Sequence, residues 1–171
     1  MKTKKILSSA ILAIALFTGI NSFAQNVVEV AVGSPDHTTL VAAVKAAGLV
    51  ETLSGTGPFT VFAPTNAAFD KLPTGTVASL LEPANMKMLQ GILTYHVVAG
   101  KLDSKAVVAA IKAGKGKAVL TTVQGGKITA SLKGSDVIIT DEKGGMSKVT
   151  AVDLDASNGI IHVVDTVLMH K

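Results

Sequence analysis

His162 and Asp165, near the end of the chain, are the residues whose types could do chemistry, since an imidazole base and an orienting carboxylate are two thirds of a hydrolase triad. The spacing argues against that use. In a regular strand, residues three apart point to opposite faces, so the two side chains would pair only across a bulge. The serines offer no nucleophile elbow, because Ser54-Gly55 and Ser157-Asn158-Gly159 lack the strand-to-helix glycine pattern. His37, His96, His162 and His170 are scattered, without a His-x-x-x-His pair and without cysteine, so the sequence supports neither a metal site nor another cofactor. His162, between Ile161 and Val163, is expected to be a structural imidazole that finds a hydrogen-bond partner inside the fold. The expectation is a protein that is not an enzyme.

A second constellation is basic. Lys101, Lys105, Lys112, Lys115 and Lys117 crowd around one helical segment with only Asp103 to balance them, and Lys105 and Lys112 lie two turns apart on one face. Such a cluster is either a solvated helix face or a set of point charges for anionic polysaccharide or lipid headgroups. Nucleic acid is a poor match. All 16 basic residues are Lys, Trp is absent and Tyr95 is the single tyrosine, whereas nucleic acid is held by bidentate Arg and stacking aromatics.

Lys2, Lys4 and Lys5 precede an apolar run from Ile6 to Ile20, and Ser22-Phe23-Ala24 has the small residues that a signal peptidase reads. This predicts a bacterial-type signal peptide over residues 1–24, a mature chain from Gln25 and a periplasmic or extracellular destination. The run is shorter than the roughly 20 residues that span a bilayer, so no transmembrane anchor is expected. Three of the 16 lysines lie in this leader, which leaves the remainder almost balanced against 12 acidic residues. With no disulfide available, a single domain of residues 25–171 must rest on its core.

The elements that position these residues follow from the patterning. Phe59, Val61 and Phe62 form a short run with apolar residues on both faces, which suits a strand covered on both sides. Pro64 ends it, and Thr65 and Asn66 offer side-chain oxygens to the first N–H groups of a helix carrying Ala67, Ala68 and Phe69. Helical spacing recurs over Thr38–Ala47, Val77–Leu81 and Asn85–His96, and Lys105–Ala113 follows with Ser104 as its cap. Asp36 or Thr38 is expected to cap the first of these. From Ala118 onward, glycine-punctuated segments predict strands at Ala118–Val123, Lys127–Leu132, Asp136–Thr140, Met146–Leu154 and Ile160–Met169. Helices first and an antiparallel run of strands after make an α+β domain.

Three stretches, in order and spacing, resemble the fasciclin-type domain: Thr60 to Phe69, Tyr95-His96-Val97-Val98, and Asn158 to Met169. The resemblance covers nearly all of the mature chain. It implies a β-sandwich or wedge joined to a bundle of short helices, and a secreted adhesion module at a cell surface or matrix, whose expected partner is a protein or, through the lysine cluster, an anionic polysaccharide. It also implies that the corner at Thr65 and Asn66 neighbours His162, with Asp165 part of the same structural motif. Tyr95-His96 and Asp153-Leu154 stand where animal relatives carry segments implicated in receptor adhesion. Read as a residue, however, Tyr95 is a core side chain with its hydroxyl bonded. Ala99 and His170 replace prolines frequent in the family. The alternative function is a carrier whose helices and wedge enclose an apolar ligand such as a lipid or pigment.

Overall fold

A computed structural model describes residues 24–171; the proposed signal peptide and its cleavage boundary lie outside these residues or at their edge. Six short helices form a layer on one side of the domain: α1 (Val27–Val32), α2 (Thr38–Ala46), α3 (Val50–Ser54), α4 (Asn66–Asp70), α5 (Thr76–Leu80) and α6 (Met86–Tyr95). The strands are β1 (Phe59–Pro64), β2 (Val97–Ala99), β3 (Lys117–Thr121), β4 (Lys127–Lys133), β5 (Asp136–Thr140), β6 (Met146–Ala156) and β7 (Gly159–Val164), with α7 (Ser104–Ala113) between β2 and β3. The architecture is α+β, as expected.

The strands form one sheet in the order β2-β1-β7-β6-β5-β4-β3. Its two ends meet where Val98 bridges Thr122 and the Val123 N–H donates to the Val97 carbonyl at 2.7 Å, so the sheet curls almost into a barrel. The antiparallel expectation holds from β3 to β7 but fails at one seam: β7 runs parallel to β1, with Phe62 opposite His162. The last strand also stops at Val164. Beyond it, the Asp165 N–H still donates to the Lys148 carbonyl at 3.1 Å, and side chains add to this: the Asp165 carboxylate accepts from the Lys148 N–H at 2.8 Å and the Ser147 hydroxyl from the Thr166 N–H at 3.1 Å.

β1 is covered on both sides, as its composition requires. Phe59, Val61 and Ala63 face the helical layer with Leu40, Val44 and Leu93, while Phe62 points into the curl with Tyr95, Ile128, Ile139 and Val164. α7 closes that second core with Val107 and Ile111. Gly159 lets β1 and β7 approach at their start, since a Cβ there would lie 2.2 Å from the Phe59 carbonyl oxygen.

Two caps differ from expectation. Thr65 caps α4 by accepting from the Ala68 N–H at 3.2 Å, but Asn66 turns away and accepts from the Thr39 N–H at 2.9 Å, capping α2 in place of Asp36 or Thr38. α7 is capped by Asp103, which accepts from the Ala106 N–H at 2.7 Å. Ser104 is its first helical residue.

Candidate interaction surface

His162 is buried at 2 % exposure, and both ring nitrogens are occupied. Nε2–H donates to the Leu102 carbonyl at 2.7 Å, which leaves Nδ1 as the acceptor facing the Asp153 N–H at 3.5 Å. The expected neighbour was the Thr65–Asn66 corner; the structure corrects this. In the parallel β1–β7 register that corner lies beyond the strand, and Asn66 bonds Pro35, Thr38 and Thr39 instead. His162 therefore ties β7 to the lead-in of α7 and to β6. Asp165 is not its partner: its carboxylate takes the Lys148 N–H, the Thr166 hydroxyl at 3.0 Å and the Lys71 ammonium at 3.3 Å. Burial works against that charge, but these donors outweigh it and hold the carboxyl below its usual range.

Above His162 the β6 strand bulges. Its pairing with β7 slips between Val149 and Ala151 and again between Ala151 and Leu154, and Asp153 adopts φ 59°. A non-glycine residue in the left-handed region is uncommon, and Asp is among the few types that accept it. The bulge lifts Ala151 to Asp155 into solvent, with Val152 44 % and Leu154 39 % exposed. It is pinned to α7, because the Asp153 carboxylate accepts from the Ser104 N–H at 2.7 Å and from the Ser104 hydroxyl. The Ser104 hydroxyl chiefly holds this carboxyl below its ordinary value. Ser104, Asp153 and His162 thus lie close together without the order of a triad: the hydroxyl serves the carboxylate, and the imidazole has no nitrogen free for it.

On the far side of the bulge, Lys105, Val108, Ala109 and Lys112 line a shallow open groove of about 400 Å³ along α7. Lys101 pairs with Asp155 at 2.8 Å at the edge of this region. The fold therefore brings Asp153 beside Ser104 and Lys105 at the start of α7, although the sequence places them about 50 residues apart, while Lys112 lies two turns further along the helix.

Tyr95 and His96 are not on that surface, which corrects their assignment as contact residues. Tyr95 is fully buried; its hydroxyl donates to the Lys127 carbonyl at 2.7 Å and accepts from the Glu142 N–H at 3.1 Å. Burial pushes its pKa up. His96 ends α6 at 2 % exposure, donating from Nδ1 to the Ile92 carbonyl at 2.8 Å and accepting from the Leu168 N–H at 2.9 Å. Burial lowers it to about 4. Among the described residues no three His, Asp or Glu side chains converge as metal ligands, and no helix is long and apolar enough to cross a membrane. A cavity of about 40 Å³ lies under α1, lined by Val28, Leu40, Val44, Leu53, Leu93 and others.

The family model of the Fasciclin domain matches residues 35–170. The chain belongs to the fasciclin family. A Synechocystis protein, sll1483, is 49% identical over 150 residues, covering 85% of this chain and 74% of that protein. Immunogenic protein MPB70 of Mycobacterium bovis is 37% identical over 156 residues, 88% of this chain and 72% of its own. Transforming growth factor-beta-induced protein ig-h3 of Sus scrofa is 40% identical over 142 residues, 83% of this chain but 19% of that longer protein. The fold also matches a domain pair from the insect cell adhesion molecule fasciclin I, with a TM-score of 0.51 at 22% identity, covering 74% of this chain and 40% of that one. In this fasciclin domain the Tyr-His segment is a core element, and the segment around Asp153 is the exposed one. The sequence reading missed Ser104 as the partner of Asp153, for which the serine type alone carried no signal.

Proposed function

We propose that this fasciclin domain is an exported, non-enzymatic interaction module that holds a cell-surface or matrix partner on the face made by the β6 bulge and α7. The observation that carries the reading is the bulge itself. A strand that could have paired flat against β7 is bent outward with a residue at positive φ, and it presents Val152 and Leu154 to solvent on a base anchored by His162 and Ser104. Unfavourable backbone of this kind persists where surrounding contacts over-determine it, and such sites cluster at ligand clamps. Exposed apolar side chains on a rigid base, rimmed by charge, have the anatomy of a protein contact. Similarity to the cell surface glycolipoprotein MPB83 of Mycobacterium bovis, 36% identical over 121 residues, supports the same reading.

The carrier alternative has less support. The cavity under α1, at about 40 Å³, is far below the roughly 150 Å³ in which a cavity takes up benzene, so a lipid or pigment would require α1 to leave. The test is capture of partners from envelope and matrix extracts by the labelled exported protein. Leu154→Asp should lower capture about tenfold or more, the loss expected when an apolar anchor at a contact is removed, with no change in melting temperature. Undiminished capture by the variant would remove the bulge from the function.

A further inference from the structure

We infer that the α7 side of this face binds an acidic polysaccharide, with the polymer lying along the helix axis; the inference rests on the interaction-module reading and names its ligand class. Between Ser104 and Ser135 the chain carries Lys105, Lys112, Lys115, Lys117, Lys127 and Lys133 and no acidic residue, although the described chain as a whole is nearly balanced. The basic charge is therefore concentrated in α7, β3 and β4, which pack on one another. Lys105, Ala109, Lys112, Lys115 and Lys117 are exposed, and among the described residues neither Lys105 nor Lys112 forms an ion pair. The nearest carboxylates are already engaged: Asp103 caps α7, Asp153 is held by Ser104, and Asp155 is paired with Lys101.

The groove geometry selects the ligand. Lys105 and Lys112 stand two turns apart, about 10 Å along the axis at 1.5 Å per residue, and Val108 and Ala109 make a low floor between them. Lys115 and Lys117 follow in the tight turn from the helix into β3, and both are exposed. A row of ammonium groups over small side chains fits a narrow ribbon with regularly spaced carboxylates. The groove residues include no Arg for bidentate phosphate contact and no aromatic for stacking bases, so a nucleic acid strand would be held by charge alone. The groove residues also include no aromatic, Leu, Ile or Met side chain to enter a lipid interface.

The test uses immobilised polygalacturonate, with neutral dextran, single-stranded DNA and phosphatidylserine vesicles as comparisons, and the full exported protein. The protein should bind polygalacturonate and not dextran, and binding should weaken steeply as salt shortens the screening length. Lys105→Gln with Lys112→Gln should weaken binding about 30-fold, taking each lysine at the contribution of one beside an anionic surface, with an unchanged melting temperature. Equal binding by the double variant, or tighter binding to DNA or vesicles than to polyuronate, would overturn the inference. Capture from envelope extract that survives both the double variant and digestion of acidic polysaccharide would overturn it too, while leaving the interaction module intact. Loss of capture by Leu154→Asp, with polyuronate binding retained, would support two adjacent contacts.

Discussion

Two buried imidazoles hold this domain in different ways. His162 links three segments: β7, which carries it, the Leu102 carbonyl ahead of α7, and the Asp153 N–H in the bulge. His162→Ala leaves a buried carbonyl without its donor, so it should destabilise by about 1–3 kcal/mol in a denaturant titration. A catalytic base would behave in the opposite way, with stability intact and turnover lost. His96 is held neutral, because its Nε2 must accept from Leu168 while burial lowers its pKa from 6.5 to about 4. Between those values the unfolded chain binds the proton and the folded one does not. Stability is therefore fully present above about pH 6.5 and declines as pH falls toward 4, by about 3 kcal/mol from this residue. Denaturant titrations at pH 7 and pH 4.5 should show that decline, and it should be smaller in His96→Gln. The apolar flanks of His162 led to the expectation of a hydrogen-bonded imidazole, and the structure gives each ring nitrogen a backbone partner. The sequence did not disclose the partner, since the contact depends on a bulge that slips the register by residues no pattern marks.

At the level of elements, Asn158 shows how one turn residue joins parts that are distant in the chain. Its side-chain amide donates to the Leu53 carbonyl at 2.7 Å and the Gly55 carbonyl at 2.9 Å, while its oxygen accepts from the Val27 N–H at 2.9 Å. The β6–β7 turn thereby anchors α3 and α1. Four of the six residues of α1 are Val, which favours strands, so this helix depends on its ends. Asn158→Ala should cost about 1–3 kcal/mol and raise hydrogen exchange in α1 more than in α6, because α6 keeps its buried face. Protection of α1 equal to wild type would mean that the anchor is dispensable. α1 lay outside the sequence reading, although its Asn26-x-x-Glu29 capping box was legible in principle. The strand at Phe59 was legible from its short run of apolar residues on both faces ended by Pro64, and the helix at Met86 from its helical spacing of apolar residues. The parallel pairing of β1 with β7 was not, because strand direction is set by a long connection that local periodicity does not record.

The whole molecule combines a core-filled curl of sheet, a helical layer and one face that departs from both. The fasciclin pattern made the fold legible, since its three motifs supply β1 with the α4 corner, the end of α6, and β7. The surface was only half legible: Asp153, Leu154, Lys105 and Lys112 were identified separately, while the joining of the Asp153 segment to the start of α7 needed the Ser104–Asp153 contact. In the proposed function this face, and not an apolar surface elsewhere, holds the partner. Met88 on α6 provides the comparison, being 56 % exposed against 39 % for Leu154 but set on the helical layer. The most direct measurement is capture from envelope and matrix extract by Leu154→Asp and Met88→Asp proteins of matched melting temperature. Leu154→Asp should lose capture about tenfold and Met88→Asp should retain it. Retention by Leu154→Asp with loss by Met88→Asp would contradict the proposed function.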